Sequence, residues 1–415
     1  MKIAIIGSGG REHALAWKFA QSVSEDNVYV LPGNGGTKNN VAIEVTDFVA
    51  IKAFCEKEGI GLIFVGPEVP LAKGIVDYFK DSPIQVFGPS QKAAIMEGSK
   101  IWSKQFMQKY GVATGDFWVP ETKEEAQKII AKLDGYCVLK YDGLAAGKGV
   151  FVCKTEKEAL ESLEELMGKY GADAPYLIEE RLEGDEISII GFTDGKAIKL
   201  FPPSQDHKQL LDGDLGPNTG GMGAFCPVPF CDDTLLQSID ELIVQPTLRG
   251  IQGEELDYKG VIYFGVMVTP NGVKVLEYNA RFGDPETEIL LPALKSDLLQ
   301  LVQACLNGRL SHFDIVFEDG YFVDVVLASG GYPKAYNKGY PISGLDQITD
   351  GAKVFHAGTK KRADGTIVTN GGRVLNVVAK GASLADAIHH AYAQVDGIEF
   401  KDMYYRKDIG NRKGA

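Results

Sequence analysis

Between Leu276 and Arg281 a carboxylate, an amide and a guanidinium stand at alternate positions, as Glu277, Asn279 and Arg281. Successive side chains of a β-strand point to opposite faces, so Glu277 and Asn279 share one, and Arg281 joins them if the strand continues. Two oxygen ligands on one face suit Mg2+, which takes few protein ligands and completes its shell with phosphate and water. An arginine beside that ion can clamp a carboxylate through paired hydrogen bonds or steady a phosphoryl group in transfer. A solvent-exposed polar edge is the plain alternative, and a row of these three types is unusual for one.

A second string brings positive charge. In Lys140-Tyr141-Asp142-Gly143-Leu144-Ala145-Ala146-Gly147-Lys148-Gly149 the glycines and alanines let the backbone approach a polyphosphate, and Lys140 and Lys148 offset its charge. It is not a P-loop, because Gly149 stands where Ser or Thr is required. It suits a flexible flap between two strands. Near the start, Gly7-Ser8-Gly9-Gly10-Arg11-Glu12 follows an apolar run and opens a helix. Free N–H groups at a helix N-terminus bind phosphate. Glu12 stands where the dinucleotide fingerprint has a glycine, which weakens that reading. Taken alone, this string reads equally well as a tight turn without a ligand.

Other strings are weaker alone. Glu68, in Gly66-Pro67-Glu68-Val69-Pro70-Leu71, could accept hydrogen bonds from sugar hydroxyls, or be a solvated residue before a helix begun by Pro70. The acidic run Glu179-Glu180-Arg181-Leu182-Glu183-Gly184-Asp185-Glu186 could bind adenine through its backbone and ribose through Glu186, or be a solvated turn. Ser204-Gln205-Asp206-His207-Lys208 and the glycine-rich Gly216-Pro217-Asn218-Thr219-Gly220-Gly221-Met222-Gly223 could lie against a ligand, with His207 as readily structural.

These residues need elements to position them. Short apolar runs at 2–6, 28–31, 62–65 and 85–87 alternate with helix-like stretches, including 49–58 and 70–80. That alternation predicts a doubly wound parallel sheet with helices on both faces, ending near residue 102. Residues 123–186 predict a compact α+β unit: helix 123–133, strand 136–140, the glycine-rich loop, strand 150–153, helix 156–167 and strand 175–180. Strands follow at 186–193 and 196–201, then a long helix near 233–250. Strands 260–269 and 272–279 are joined by Pro270-Asn271-Gly272, a hairpin turn. A last unit opens with a strand at 321–328 and ends with an amphipathic helix near 383–395.

The composition fits an ordinary globular enzyme. Hydrophobic residues make up 45% and charged residues 24%, enough for sizeable cores over 415 residues. The net charge of −13 argues against non-specific nucleic-acid binding while leaving room for small anionic substrates at a locally basic site. Six scattered cysteines include no C-x-x-C pair, which argues against zinc knuckles and disulfide frameworks. No apolar run approaches the ~18 residues of a membrane span, so the cytosol is the expected compartment.

Together the flap, acidic, Ser204–Lys208 and Glu277–Arg281 motifs resemble the ATP-grasp superfamily. The strings GSGGREHALAWK, PGNGGT, VGPEVPL, DGLAAGKGV, SQDHK, GPNTGGMGAF, EYNARFGDPE, ASGGYP, VFHAGT and TNGGRVL, from residue 7 to 375, are similar to those of one of its families, the glycinamide ribonucleotide synthetases. The resemblance implies a multidomain α/β chain: an N-terminal α/β domain (1–102), an ATP-grasp core (103–122 and 187–320), an inserted flap domain (123–186) and a small C-terminal domain (321–415). It implies ligation of glycine to 5-phospho-β-D-ribosylamine through glycyl phosphate, with ATP as phosphoryl donor, in purine synthesis. By the same resemblance ATP contacts Lys104, Lys140, Gly143, Ala145, Ala146, Gly147, Lys148, Glu179, Glu180, Leu182 and Glu186. Mg2+ or Mn2+ is held by Glu277 and Asn279. Glycine meets Asp206, Arg281, Gly283, Asp284 and Pro285, and Arg281, Asp206 and Lys208 act in catalysis. Phosphoribosylamine lies against Gly9, Gly10, Arg11, Glu12 and Glu68. The expected protein is a cytosolic monomer with small-molecule partners and no nucleic-acid or membrane partner. Two departures stand out: Tyr141 replaces a small residue, and the segment between Thr37 and Val41 is short. Another ATP-grasp ligase, an NAD-dependent dehydrogenase and a nucleotide-binding regulator without turnover are the competing readings.

Overall fold

The computed structural model describes residues 1–144, 149–349 and 351–411. Its first strands, Lys2–Gly7, Val28–Pro32, Asn39–Asn40, Ile60–Val65 and Gln85–Pro89, run parallel, with Lys2–Gly7 between Val28–Pro32 and Ile60–Val65. Their unbroken apolar stretches suit a sheet covered on both faces, and Ile3, Ala4, Ile5 and Ile6 are fully buried. The helix expected over 70–80 is two short ones, Glu68–Ala72 and Ile75–Tyr78. Gly74 between them has φ +82°, a left-handed conformation that ends the first helix.

This sheet does not stop at the first unit. Gln85–Pro89 pairs antiparallel with Tyr258–Thr269, through Tyr258 opposite Pro89 and Lys259 opposite Gly88. Tyr258–Thr269 in turn pairs with Asp185–Thr193 and with Gly272–Asn279. The expected hairpin at 270–272 is present, with Thr269 opposite Gly272. The long helix near 233–250 is continuous to Gly253 but contains a π-turn at Asp240–Val244. Pro246 lies two residues past it; its missing N–H and its ring disturb the regular ladder one turn back, which is where the π-turn lies.

A second sheet crosses the expected boundary at 320/321. Tyr321–Ser329 pairs on one side with Gly223–Cys226 and on the other with Arg373–Gly381. The flap has a separate four-stranded sheet, ordered Phe117–Trp118, Tyr176–Glu180, Cys137–Tyr141, Val150–Val152. Its helices, Lys123–Lys132 and Glu156–Tyr170, start at Thr122 and Thr155, whose side chains accept from the N–H groups of Glu125 and Glu158. Ala126, Ile130, Leu139, Leu163 and Ile178 form its own core. Tyr141 stacks on Tyr170 with ring centroids 3.9 Å apart, so the larger side chain is absorbed by aromatic packing. Among the described residues no helix is long and apolar enough to cross a membrane.

The C-terminal unit packs against the N-terminal turn. Asn34 Nδ2 donates to the carbonyls of Ser8, Gly9 and His356 at 3.0, 3.2 and 2.6 Å. The His356 N–H donates to His13 Nδ1 at 2.8 Å. Burial pushes His13 down to about 3, with His356 adding to the effect, and pushes His356 down to about 4. Both rings are therefore neutral in the folded chain. Below about pH 6.5 the unfolded chain takes up these protons and the folded chain does not, so stability falls with pH by up to ~1.4 kcal/mol per pH unit per ring. Replacing His356 with Gln should flatten the slope of unfolding free energy between about pH 6 and pH 4.5. An unchanged slope would remove the histidine pair as its source.

Candidate active site

A cavity of about 340 Å3 lies where the four parts meet. Its central wall is the strand Gly272–Asn279. Val273 and Val275 point into the core. Val275 pairs with Val266 and Glu277 with the next residue, Gly265, so Leu276 is the extra residue of a β-bulge. The bulge reverses the alternation. Tyr278 becomes the core residue, with its hydroxyl 2.8 Å from Thr247 Oγ1, and Glu277 and Asn279 line the cavity. Without it, the face that buries Val273 and Val275 would also bury Glu277 and Asn279.

The strand ends at Asn279, yet Arg281 still reaches the cavity. Two carboxylates hold it: Glu68 Oε2 at 3.3 Å from Nε and Glu97 Oε1 at 3.1 Å from an outer nitrogen. Arg281 also donates to the Phe282 carbonyl at 3.2 Å and to Asn279 Oδ1 at 3.3 Å. Glu97 Oε2 accepts from the Ala280 N–H at 2.7 Å, which fixes the chain just beyond the strand. Burial raises Glu97 above the usual carboxylate range despite Arg281; for Glu68, Arg281 and Arg11 outweigh burial and hold it below that range.

The helix Lys100–Tyr110 begins at Ser99, whose hydroxyl accepts from the Trp102 N–H, and brings Lys104 to the cavity. Lys104 and Lys140 both pair with the buried Glu179, at 3.0 and 2.9 Å. Lys140 also donates to the Leu276 carbonyl at the bulge, at 3.1 Å. The lysines expected to meet phosphate thus share one internal carboxylate. Glu180 turns away to Lys274, at 2.6 Å. Lys208 pairs with Glu186 and, at 3.4 Å, with Asp206; Lys208 and Asp206 line the cavity and Glu186 does not. For Glu277 burial is outweighed by Lys140, Lys100, Lys208 and Arg281, which hold its carboxyl below the usual range.

Arg11, Glu68, Gly283 and Asp284 also line the cavity. Glu12 does not: its carboxylate accepts from the Gly9 N–H and Arg11 Nε, both at 2.5 Å, and fastens the turn internally. Two donors expected to meet phosphate there are engaged, since Gly9 N–H bonds Glu12 and Arg11 N–H faces Asp284 Oδ2 at 3.5 Å. Leu182 and Pro285 are not on the cavity wall, and Pro285 packs against Gly221. The Gly143 carbonyl accepts from Lys100 Nζ at 3.0 Å. Ala145, Ala146, Gly147 and Lys148 lie outside the described residues.

Four contributors were missed in the sequence. Glu97 signals itself only as a lone carboxylate in the apolar run 93–98. Arg373 donates to the carbonyls of Gly220 and Asp284 at 2.6 and 2.7 Å and pairs with Asp284 Oδ1 at 3.0 Å. It joins the C-terminal sheet to two loops of the core. Glu286 accepts from Ser188 Oγ and Tyr263 OH, at 2.9 and 3.0 Å. Tyr263 and Glu286 both line the cavity.

Comparison with known proteins places this architecture. A biotin carboxylase from Campylobacter jejuni superposes with a TM-score of 0.72 at 15% identity, over 97% of this chain and 93% of its own. At that identity the likeness concerns the fold. A family model described as the phosphoribosylglycinamide synthetase ATP-grasp (A) domain matches residues 98–287, so the class is an ATP-grasp protein. Models for the N and C domains of the same family match residues 1–97 and 322–412. The phosphoribosylamine–glycine ligase of Clostridium acetobutylicum is 49% identical over the full length of both chains, and that of Nostoc sp. 44% identical over 99% of both. The crystal structure of the Thermotoga maritima ligase superposes with a TM-score of 0.85 at 36% identity, over 98% of this chain and all of its own. The chain belongs to the phosphoribosylglycinamide synthetase family.

Proposed function

We infer that this chain joins glycine to 5-phospho-β-D-ribosylamine at the expense of ATP, forming glycinamide ribonucleotide, ADP and phosphate in purine synthesis. The end-to-end match to relatives named as this ligase carries the reading. The cavity supports it with groups suited to each reactant. Glycine's carboxylate attacks the γ-phosphorus of ATP to give glycyl phosphate. Arg281 is placed to orient that carboxylate and to offset charge as it transfers. Asp206, beside Lys208, receives glycine's ammonium group. Lys104 and Lys140 serve the phosphates, exchanging Glu179 for them; the backbone of 179–182 serves adenine, and Glu186 the ribose. Phosphoribosylamine lies between the Gly9–Glu12 turn, with Arg11 as its nearest cation, and Glu68. Its nitrogen then displaces phosphate from the acyl carbon. No protein nucleophile is required, so catalysis is mostly positioning and electrostatics.

A divalent cation, Mg2+ or Mn2+, fits the strand. Glu277 is held ionised, lines the cavity and has no hydrogen bond or ion pair among the described residues, while Asn279 Oδ1 has one long contact. An anionic and a neutral oxygen suit a hard cation that also takes phosphate oxygens. Such an ion supplies countercharge to the triphosphate. The reading includes a cytosolic monomer without nucleic-acid or membrane partners.

The test is ADP release by the purified protein with Mg-ATP and glycine, with and without fresh phosphoribosylamine. ADP that requires both co-substrates supports the assignment. ADP released with a different carboxylate moves the substrate, and none with any acceptor defeats the ligase reading. In that assay Glu277→Gln should lose roughly 100-fold or more in turnover and bind Mn2+ more weakly by electron paramagnetic resonance. Mn2+ binding and turnover at the wild-type level would detach Glu277 from the cation.

A further inference from the structure

Gly9 and Gly10 sit directly on a buried acidic cluster. A Cβ on Gly9 would lie 2.9 Å from Asp284 Oδ2, and one on Gly10 would lie 2.3 Å from Glu288 Oε1 and 2.2 Å from Asn376 Nδ2. Glu288 and Asp324 are fully buried, on the helix Glu286–Ala293 and the strand Tyr321–Ser329. Neither oxygen of Glu288 and neither polar atom of the Asn376 amide has a well-formed hydrogen bond. Three carboxyls thus face a single close cation from the C-terminal sheet, Arg373, with Arg11 on the cavity side.

Three buried carboxylates cannot all be ionised at that charge balance. Burial, with Asp284 and Asp324 nearby, pushes Glu288 well up; burial with Asp284 does the same to Asp324. For Asp284, burial is outweighed by Arg373 and Arg11, and it stays ionised. The result is one carboxylate on the cavity wall resting on a neutral carboxyl that can donate a hydrogen bond to it.

The other carboxylates of the cavity are committed. Glu68 and Glu97 hold Arg281, Glu179 holds two lysines, Asp206 faces Lys208, and Glu286 accepts from Ser188 and Tyr263. Glu277 belongs to the proposed cation. Asp284 is itself paired, its Oδ1 with Arg373, while its Oδ2 lies against the turn assigned to phosphoribosylamine, 3.5 Å from the Arg11 backbone nitrogen. We propose that Asp284 accepts the proton released when the ribosylamine nitrogen attacks glycyl phosphate, with Glu288 beneath it as a positioning hydrogen-bond donor. This differs from the glycine contact the family resemblance implies for Asp284, and it rests on the functional reading above.

The step balances without further reactants. The nitrogen lone pair forms the C–N bond to the acyl carbon. The C–O bond to phosphate breaks, and its electrons leave with inorganic phosphate. The N–H proton passes to Asp284 and from there to water in the cavity. Nitrogen becomes acidic only as the C–N bond forms, so a carboxylate is a sufficient base.

The experiment compares wild type with Asp284→Asn in the complete mixture of Mg-ATP, glycine and phosphoribosylamine. It follows ADP release together with positional isotope exchange in labelled ATP, which reports reversible glycyl phosphate formation. Asp284→Asn should slow ADP release roughly 100-fold or more, while exchange persists at or above the wild-type rate because the intermediate waits and returns. Exchange that falls in step with ADP release, or ADP release within a few-fold of wild type, overturns the proposal. Glu288→Gln, whose amide still donates, should lose less than about 10-fold; a loss equal to that of Asp284→Asn would mean that Glu288 works ionised, and would overturn its part. If wild type itself releases no ADP, the ligase reading fails first, and the two failures are distinct.

Discussion

Arg281→Ala should retain nucleotide binding and lose roughly 1,000-fold in glycine-dependent ADP release. The side chain reaches the cavity from just beyond the strand that carries Glu277 and Asn279, and it is oriented by Glu68 on one side and Glu97 on the other. A guanidinium held by two carboxylates still has a cavity-facing surface for a third, the reacting one. Alanine removes that anchor and leaves Glu68 and Glu97 facing each other, so protein stability must be measured beside activity. The decisive comparison is equilibrium ATP binding against turnover. Normal turnover would take Arg281 out of the mechanism. Binding and turnover lost together, in a variant that still melts cooperatively, would make Arg281 a scaffold of the nucleotide site.

Glu179→Ala should cost about 3–5 kcal/mol of folding stability, the scale for breaking a buried ion pair from one side. Glu179 is the carboxylate between Lys104 and Lys140, and all three side chains are at most 7% exposed. Burial already pulls Lys104 down to about 8, whereas Lys140 is held up by Glu179 and Glu277 against its own burial. Without Glu179, two ammonium groups remain in one desolvated site. Denaturant titration measures the loss, and Mg-ATP should recover part of it if phosphate replaces the missing charge. A loss below about 1 kcal/mol would show that water or another carboxylate compensates.

Local sequence carried the elements better than their joins. The flap's helices stand where they were expected, and in the structure Thr122 and Thr155 cap them. The hairpin at 270–272 was readable from its turn residues. Glu277 and Asn279 were correctly expected on one face, but strict alternation would place that face with Val273 and Val275 in the core. The bulge at Leu276 that prevents this depends on pairing with Gly265 and Val266, which no local pattern encodes. Glu97 and Arg373 stand 184 and 92 positions from Arg281 in the chain (281 − 97 and 373 − 281), so only the fold could bring them to the site. Glu12 is the opposite case. The family resemblance put Glu12 against phosphoribosylamine, and in the structure its carboxylate bonds the Gly9 N–H and Arg11 Nε within the turn.

The way the sheets are joined also decides where the molecule can open. N-terminal strands continue into the antiparallel core through one sheet, and the core continues into the C-terminal strands through another. Such ladders resist separation, since each shift breaks a row of backbone hydrogen bonds and exposes side chains packed on both faces. The four-stranded flap sheet is joined to neither. Its contacts with the rest include Lys104–Glu179, Lys274–Glu180, Lys140 with the Leu276 carbonyl, Lys100 with the Gly143 carbonyl, and Ser99 and the Ile101 N–H with Asp142. Ion pairs and hydrogen bonds of this kind can trade one partner for another without unpacking a core. The protein is therefore built like a vice, with one jaw of joined sheets and a second, separate sheet held against it by polar catches.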